Sequence, residues 1–218
     1  MNKSALSKVL ILAGAVCFLF AITLTGYNLW DTQRASETVE KTVEEISVRM
    51  PEKTLPAEIF SPENLSKLDA ADPEIEVPFY VLNPEIEMLE EEIDGTAYIG
   101  VLELPALELT LPVISRWNEE NGRIAPCRYA GSAYSDDLVI CAHNYTGHFG
   151  RLSSLSVGDE IRFTDMEGNL FSYTVSEFEV IDGKAIEDMH AGEWDLTLFT
   201  CTMSGTARIT VRCEKTNE

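Results

Sequence analysis

Positive charge is what this chain has least of. Sixteen Lys and Arg stand against 37 Asp and Glu, a formal net charge of −21. Phosphate binding needs clustered Lys and Arg, so nucleic acid is not an expected partner. Adhesion to an anionic membrane through a basic patch is disfavoured for the same reason. The five cysteines, Cys17, Cys127, Cys141, Cys201 and Cys213, form no C-x-x-C pair, which removes the usual zinc and dithiol-redox motifs. No disulfide pairing of Cys127, Cys141 and Cys213 can be read from spacing. There are only three histidines, His143, His148 and His190. There is one long apolar run, no internal repeat and no low-complexity tract.

That run is Val9 to Trp30, 22 residues without a charge. At about 1.5 Å per residue it spans a hydrocarbon core of about 30 Å. It is too long for the apolar core of a cleaved signal peptide, and Gly26 to Trp30 makes a poor cleavage site. Lys3 and Lys8 precede it, and Tyr27 and Trp30 suit the far interface. The expectation is a single-pass membrane anchor at 9–30, with a cytoplasmic tail at 1–8 and everything downstream outside the cell.

Residues 31–94 hold five basic and 18 acidic side chains. Val39, Val43, Ile46 and Met50 recur at helical spacing up to Pro51. Five further prolines, from Pro56 to Pro84, then punctuate a Glu-rich stretch, which suits an extracellular stalk. A rival reading has Val77 to Met88 folding back over the next domain as a lid.

From residue 95 to 218 the pattern is short strands: Tyr98–Leu102, Leu109–Val113, Leu138–Ala142, Glu160–Thr164, Leu170–Val180, Leu196–Thr200 and Ala207–Cys213. Asp165 to Asn169 is a hairpin turn. The spacing predicts an all-β barrel or sandwich with a single core.

A cysteine nucleophile needs an accessible thiol, a base or cation that favours the thiolate, and donors for the oxyanion. Cys201 ends the strand Thr197-Leu198-Phe199-Thr200-Cys201. His143 follows the strand Leu138 to Ala142. Arg208 opens the last strand, after a six-residue loop, Thr202 to Ala207. If the last two strands pair antiparallel, Arg208 and Cys201 meet at one barrel end. Arg212 shares that face but lies roughly 13 Å along. Cys141 points to the same side of its strand as His143 and is expected to be a buried neighbour of the site. His148 and His190 sit in polar, glycine-containing loops and read as solvated.

The order of His, then Thr-Leu-x-Thr-Cys, then Arg resembles the sortases over about Tyr98 to Lys215. Tyr98-Ile99-Gly100, Leu111-Pro112-Val113 and Val157-Gly158-Asp159 agree more weakly. The resemblance implies an eight-stranded closed β-barrel with short helices, held by the anchor and stalk at a Gram-positive cell surface. It implies a membrane-anchored cysteine transpeptidase that cleaves an LPxTG-like sorting signal between Thr and Gly. Cys201 would carry the thioacyl intermediate, His143 would move protons, and Arg208 would hold the substrate carbonyl and oxyanion. Thr200 would shape the site or its oxyanion hole.

The implied partners are surface proteins bearing such C-terminal signals and an amine such as that of a peptidoglycan precursor. The 14 residues from Asp182 to Asp195 leave little room for the long class B helix. The lack of a C-terminal apolar segment disfavours class C, which leaves an A-like or D-like enzyme. No cofactor is expected. Some class A members bind calcium, for which Glu103, Glu108, Asp182 and Glu187 are candidates by charge alone, against the plainer reading of solvated carboxylates. Two rival functions stay open: a cysteine peptidase that hydrolyses the same acyl-enzyme, and a non-catalytic membrane-tethered binding module.

Overall fold

The computed structural model describes residues 3–51, 78–189 and 194–216. The expected stalk prolines Pro56, Pro62 and Pro73 lie outside the described residues.

Helix α1 runs without a break over Lys3–Arg49. Its side chains between Ile11 and Tyr27 are exposed, Phe18 and Phe20 among them. Among the described residues no helix is long and apolar enough to cross a membrane. Val9, Leu10 and the end of the expected anchor, Asn28 to Trp30, fall outside the described side chains. The C-terminal part of α1 behaves differently. Val39, Thr42 and Ile46 are buried at the three-to-four spacing read from the sequence, with Val43 and Met50 packed beside them. They pack against the sheet, so this part of residues 31–94 belongs to the folded domain rather than to a free spacer. Arg49 fixes the end of the helix, pairing with Glu45 and Glu91 at 3.0 Å each and donating to the Glu92 carbonyl at 3.1 Å. Pro51, which cannot donate, follows.

A short helix α2, Phe79–Leu82, precedes the strands. Its Tyr80 is buried and stacks on Tyr134 with ring centroids 4.5 Å apart. The strands are β1 (Glu91–Ile93), β2 (Thr96–Leu104), β3 (Leu109–Ile114), β4 (Cys127–Ala130), β5 (Leu138–Ala142), β6 (Glu160–Asp165), β7 (Leu170–Asp182), β8 (Leu196–Cys201) and β9 (Ala207–Lys215). Their order is β1-β2-β3-β4-β5-β8-β9-β7-β6, and β6 pairs back onto β2. Strands β2 to β9 therefore form the expected closed eight-stranded barrel. β1 is an added hairpin strand on β2, so sheet pairing begins at Glu91, slightly ahead of residue 95.

Closure depends on close approach at Gly100, which faces Asp165 across the β2–β6 seam. Its φ is +152°, and a Cβ there would fall 2.1 Å from the Thr164 carbonyl oxygen. The adjoining β6–β7 turn is the predicted hairpin. The buried Asp165 carboxylate organises it, accepting from the Glu167 and Asn169 amides at 2.9 and 2.8 Å and from the Tyr134 hydroxyl at 2.8 Å.

Two helices position the cleft. α3, Glu119–Gly122, is capped by the Asn118 side chain, which accepts from the Asn121 amide at 2.7 Å. α4, Ile186–Met189, lies between β7 and β8. It is anchored by Arg212, a fully buried guanidinium bound to Glu179 at 2.7 Å, to the Thr197 hydroxyl at 3.0 Å and to the Asp188 carbonyl at 2.6 Å.

If the end of α1 is part of the core, Ile46→Ala should destabilise the domain by about 2–4 kcal/mol in chemical denaturation. An unchanged denaturation midpoint would mean that the helix end is not docked.

Candidate active site

The site follows from strand direction. β5 and β8 are parallel neighbours, with Ala142 opposite Thr200, so both leave the barrel at the same end. His143 is the next residue after β5, and Cys201 is the last of β8. β9 runs antiparallel to β8 and starts at that end, with Arg208 directly opposite Cys201. The three side chains line one cleft of about 320 Å³. The structure thus brings together Cys201, His143 and Arg208, as the strand reading required.

Each is held locally. The Thr200 hydroxyl is buried and donates to the Ala142 carbonyl at 2.8 Å, which pins the end of β8 to the end of β5. That bond uses the hydroxyl's only proton, so Thr200 clamps the two strands and its side chain does not donate toward the cleft. Arg208 donates to the Gly205 and Ala207 carbonyls at 3.2 Å each, which ties it to the rim of the β8–β9 loop. Among the described residues it makes no ion pair. The His143 ring lies edge-on to Trp117 at 5.7 Å and tilted against Tyr145 at 5.3 Å. Burial lowers the His143 pKa below its usual value; the Glu119 carboxylate opposes this and Arg123 adds to it.

Cys141 also lines the cleft, 4 % exposed, on the side of its strand expected for a neighbour of His143. Burial raises its thiol pKa, as it does for Cys213, and pushes Cys127 up to about 12. All five thiols are free. Cys201 is the one barrel cysteine that is more than marginally exposed.

Several cleft residues were not singled out from the sequence: Trp117, Glu119, Tyr129, Met189 and Phe199. Tyr129 sits on β4, a four-residue strand whose mixed Cys-Arg-Tyr-Ala pattern gave no periodic signal. Phe199 was legible in principle, two residues before Cys201 on the same strand face.

His148 is a correction. It was expected to be solvated but is fully buried, and neither ring nitrogen makes a hydrogen bond of good geometry. The loop after His143 folds back on itself. The His148 and Gly150 amides donate to the Tyr145 carbonyl at 2.9 and 2.8 Å, and burial of Phe149 and Leu152 carries the imidazole inward. His190 lies outside the described residues. Glu103 pairs with Arg162 at 3.4 Å. Among the described residues no three His, Cys, Asp or Glu side chains converge as metal ligands would. The Glu187 side chain lies outside the described ones. The segment that the rival reading made a lid docks through Tyr80 and Met88 and borders a second groove of about 580 Å³. That groove meets the cleft at Trp117 and Tyr129, and among the described residues none of 78–90 lines the cleft itself.

Comparison with protein families matches this chain to the Sortase domain over residues 102–216. The chain belongs to the sortase family. Sortases are cysteine transpeptidases, and the activity class follows from membership. Comparison with curated protein sequences finds no match. Among solved structures, a Clostridium perfringens sortase D5 transpeptidase is 18% identical over 83% of this chain and 99% of that one, with TM-score 0.54. Sortase C1 from Streptococcus agalactiae is 20% identical over 67% and 80% of the two chains, with TM-score 0.52. Group B Streptococcus sortase C2 of Pilus Island 1 is 21% identical over 62% and 84%, with TM-score 0.50. These likenesses extend the agreement in fold.

Two outcomes are expected for this sortase. Brief alkylation of the native protein should label Cys201 among the barrel cysteines, with Cys127, Cys141 and Cys213 labelled only on unfolding. Peptide mapping reads the result, and fast labelling of Cys213 would contradict the buried packing. Burial, reinforced by the His143 charge, also pushes the His148 pKa down to about 4. Below pH 6.5 the unfolded chain takes up a proton that the native state refuses until about pH 4. Stability is therefore lost as pH falls through that window, by up to about 3 kcal/mol. His148→Gln should flatten the slope between about pH 7 and 5 in urea denaturation, and an unaltered slope would exclude His148 as its source.

Proposed function

We propose that this sortase is a membrane-anchored transpeptidase acting on LPxTG-like sorting signals, with Cys201, His143 and Arg208 as its catalytic residues. The observation that carries the reading is their convergence in one cleft through the parallel β5–β8 pair and the Cys201–Arg208 cross-strand register. Cys201 attacks the Thr carbonyl carbon of the Thr–Gly bond. Arg208, a fixed charge with a planar fork, stabilises the oxyanion that forms there. His143 gives its proton to the departing amine as the C–N bond breaks, leaving a thioester on Cys201. An incoming primary amine then attacks the thioester and His143 takes a proton in turn. Thr200 acts through position, by fixing the ends of β5 and β8.

The exposed apolar face of α1 from Ile11 to Tyr27 supports an anchor in the membrane, with Lys3 and Lys8 on the cytoplasmic side and the barrel outside. The clients on this reading are surface proteins with C-terminal signals, and the acceptor is an amine of a cell-wall precursor. The β7–β8 connection, whose described part carries only the one-turn helix α4, supports an A-like or D-like enzyme over class B.

Intact mass after incubating the full-length protein, in detergent micelles, with a library of LPxTG-like peptides tests the reading. An acyl adduct is expected on the wild type and none on Cys201→Ala. Arg208→Ala should acylate about 10²–10³ times more slowly. An added amine should release the adduct as a new amide; release only as the free acid would favour a peptidase. kcat/KM should be bell-shaped in pH, and a flat profile between about pH 5 and 10 would count against a Cys–His mechanism.

A further inference from the structure

We infer that Glu119, with the Trp117 ring in the same cleft, forms the station that receives the ammonium of the incoming amine. This rests on the reading above and assigns its second substrate a place.

Glu119 is the only carboxylate among the described residues lining the cleft. The obligatory reactants include one cation: a primary amine is an ammonium at neutral pH and must lose a proton before it can attack. Arg208, which faces Cys201, repels such a group, whereas Glu119 attracts it. The carboxylate is near enough to His143 to be the leading charge acting on that imidazole. An ammonium held at Glu119 therefore shares the cleft with the base that must deprotonate it.

The station is held in place. Asn118 caps α3 so that Glu119 is its first residue, and the Asn121 side chain donates to the Arg116 carbonyl at 2.8 Å. The Trp117 amide donates to the Arg128 carbonyl at 3.0 Å, and the indole packs on Gly122, where a Cβ would lie 2.1 Å from the ring. An indole and a carboxylate lining the same cleft are a favourable setting for an ammonium. The second groove meets the cleft at Trp117 and Tyr129 and gives access to it; its lining is mixed in charge, with Glu85 and Glu87 beside Arg116 and Arg128, and Glu87 lies 3.8 Å from Arg128.

The chemistry balances. The bound ammonium gives one proton to the neutral His143 left by acylation. The amine nitrogen attacks the thioester carbon, the C–N bond forms, the C–S bond breaks, and Cys201 leaves as the thiolate. The second nitrogen proton passes to water, which replaces the proton that the first departing amine takes up from water.

The test compares two acceptors on the acylated full-length protein: glycinamide, largely cationic at neutral pH, and hydroxylamine, uncharged there. In Glu119→Gln the ratio of kcat/KM for glycinamide to that for hydroxylamine should fall about five-fold, the size of one partly exposed charge pair. Glu119→Asp should recover most of it. Because it is a ratio, the readout does not depend on the fraction of folded enzyme. An unchanged ratio, even with both rates lowered, would mean that Glu119 acts only through His143 and would overturn the assignment. Failure of the wild type to form an acyl-enzyme, seen before any amine is added, would overturn the underlying reading and this inference with it.

Discussion

Two strands that run parallel and end together, β5 and β8, are the constraint on which the site depends. Parallel pairing sends both chain ends out of the barrel on the same side, so the residue after each strand enters the same loop cluster. The Thr200 hydroxyl bound to the Ala142 carbonyl locks that register at its last step. A shift of one residue would turn Cys201 and His143 to opposite faces. β9 then adds Arg208 by returning antiparallel from the same end. The cleft is thus built from strand termini of a closed sheet, which hold side chains more firmly than free loops do.

Around this frame the protein spends buried polar groups on geometry. Arg212 carries its charge inside the barrel wall and uses it to hold Glu179, Thr197 and the backbone of α4, whose Met189 lines the cleft. Asp165 gathers the β6–β7 turn and Tyr134, on which Tyr80 of the N-terminal segment stacks. Each is a group that would be costly to bury unpaired and that restricts the chain once paired. The same logic leaves the cleft electrically mixed: Arg208 is free of ion pairs among the described residues, Glu119 is the lone carboxylate, and a partly desolvated imidazole completes the set.

The N-terminal half of the chain has two parts. From Ile11 to Tyr27 α1 presents apolar side chains outward, while from Val39 to Ile46 it presents them to the barrel. One continuous helix therefore joins an uncovered greasy stretch to the folded domain, and Arg49 clamps its end to β1. The segment 78–90 follows the flank of the barrel and shapes the groove beside the cleft.

What the sequence determined by itself is what local patterns encode. Alternation and short apolar runs placed seven of the nine strands, the Asp165 hairpin, and Cys201, His143 and Arg208 at strand ends. Helical spacing marked Val39, Val43 and Ile46, because a 3.6-residue period is visible whether or not its partner is known. Tertiary structure decided the rest. β1 and β4 have three and four residues and take their form from the neighbours that pair with them. His148 reads as polar in its loop but is drawn inside by the fold of residues 143–150. Trp117, Glu119 and Tyr129 reach the cleft from α3, β4 and the turn before them, segments far from Cys201 in the chain. Such contacts join residues more than 70 positions apart, and no local period records them, since only closure of the barrel brings those segments to one end.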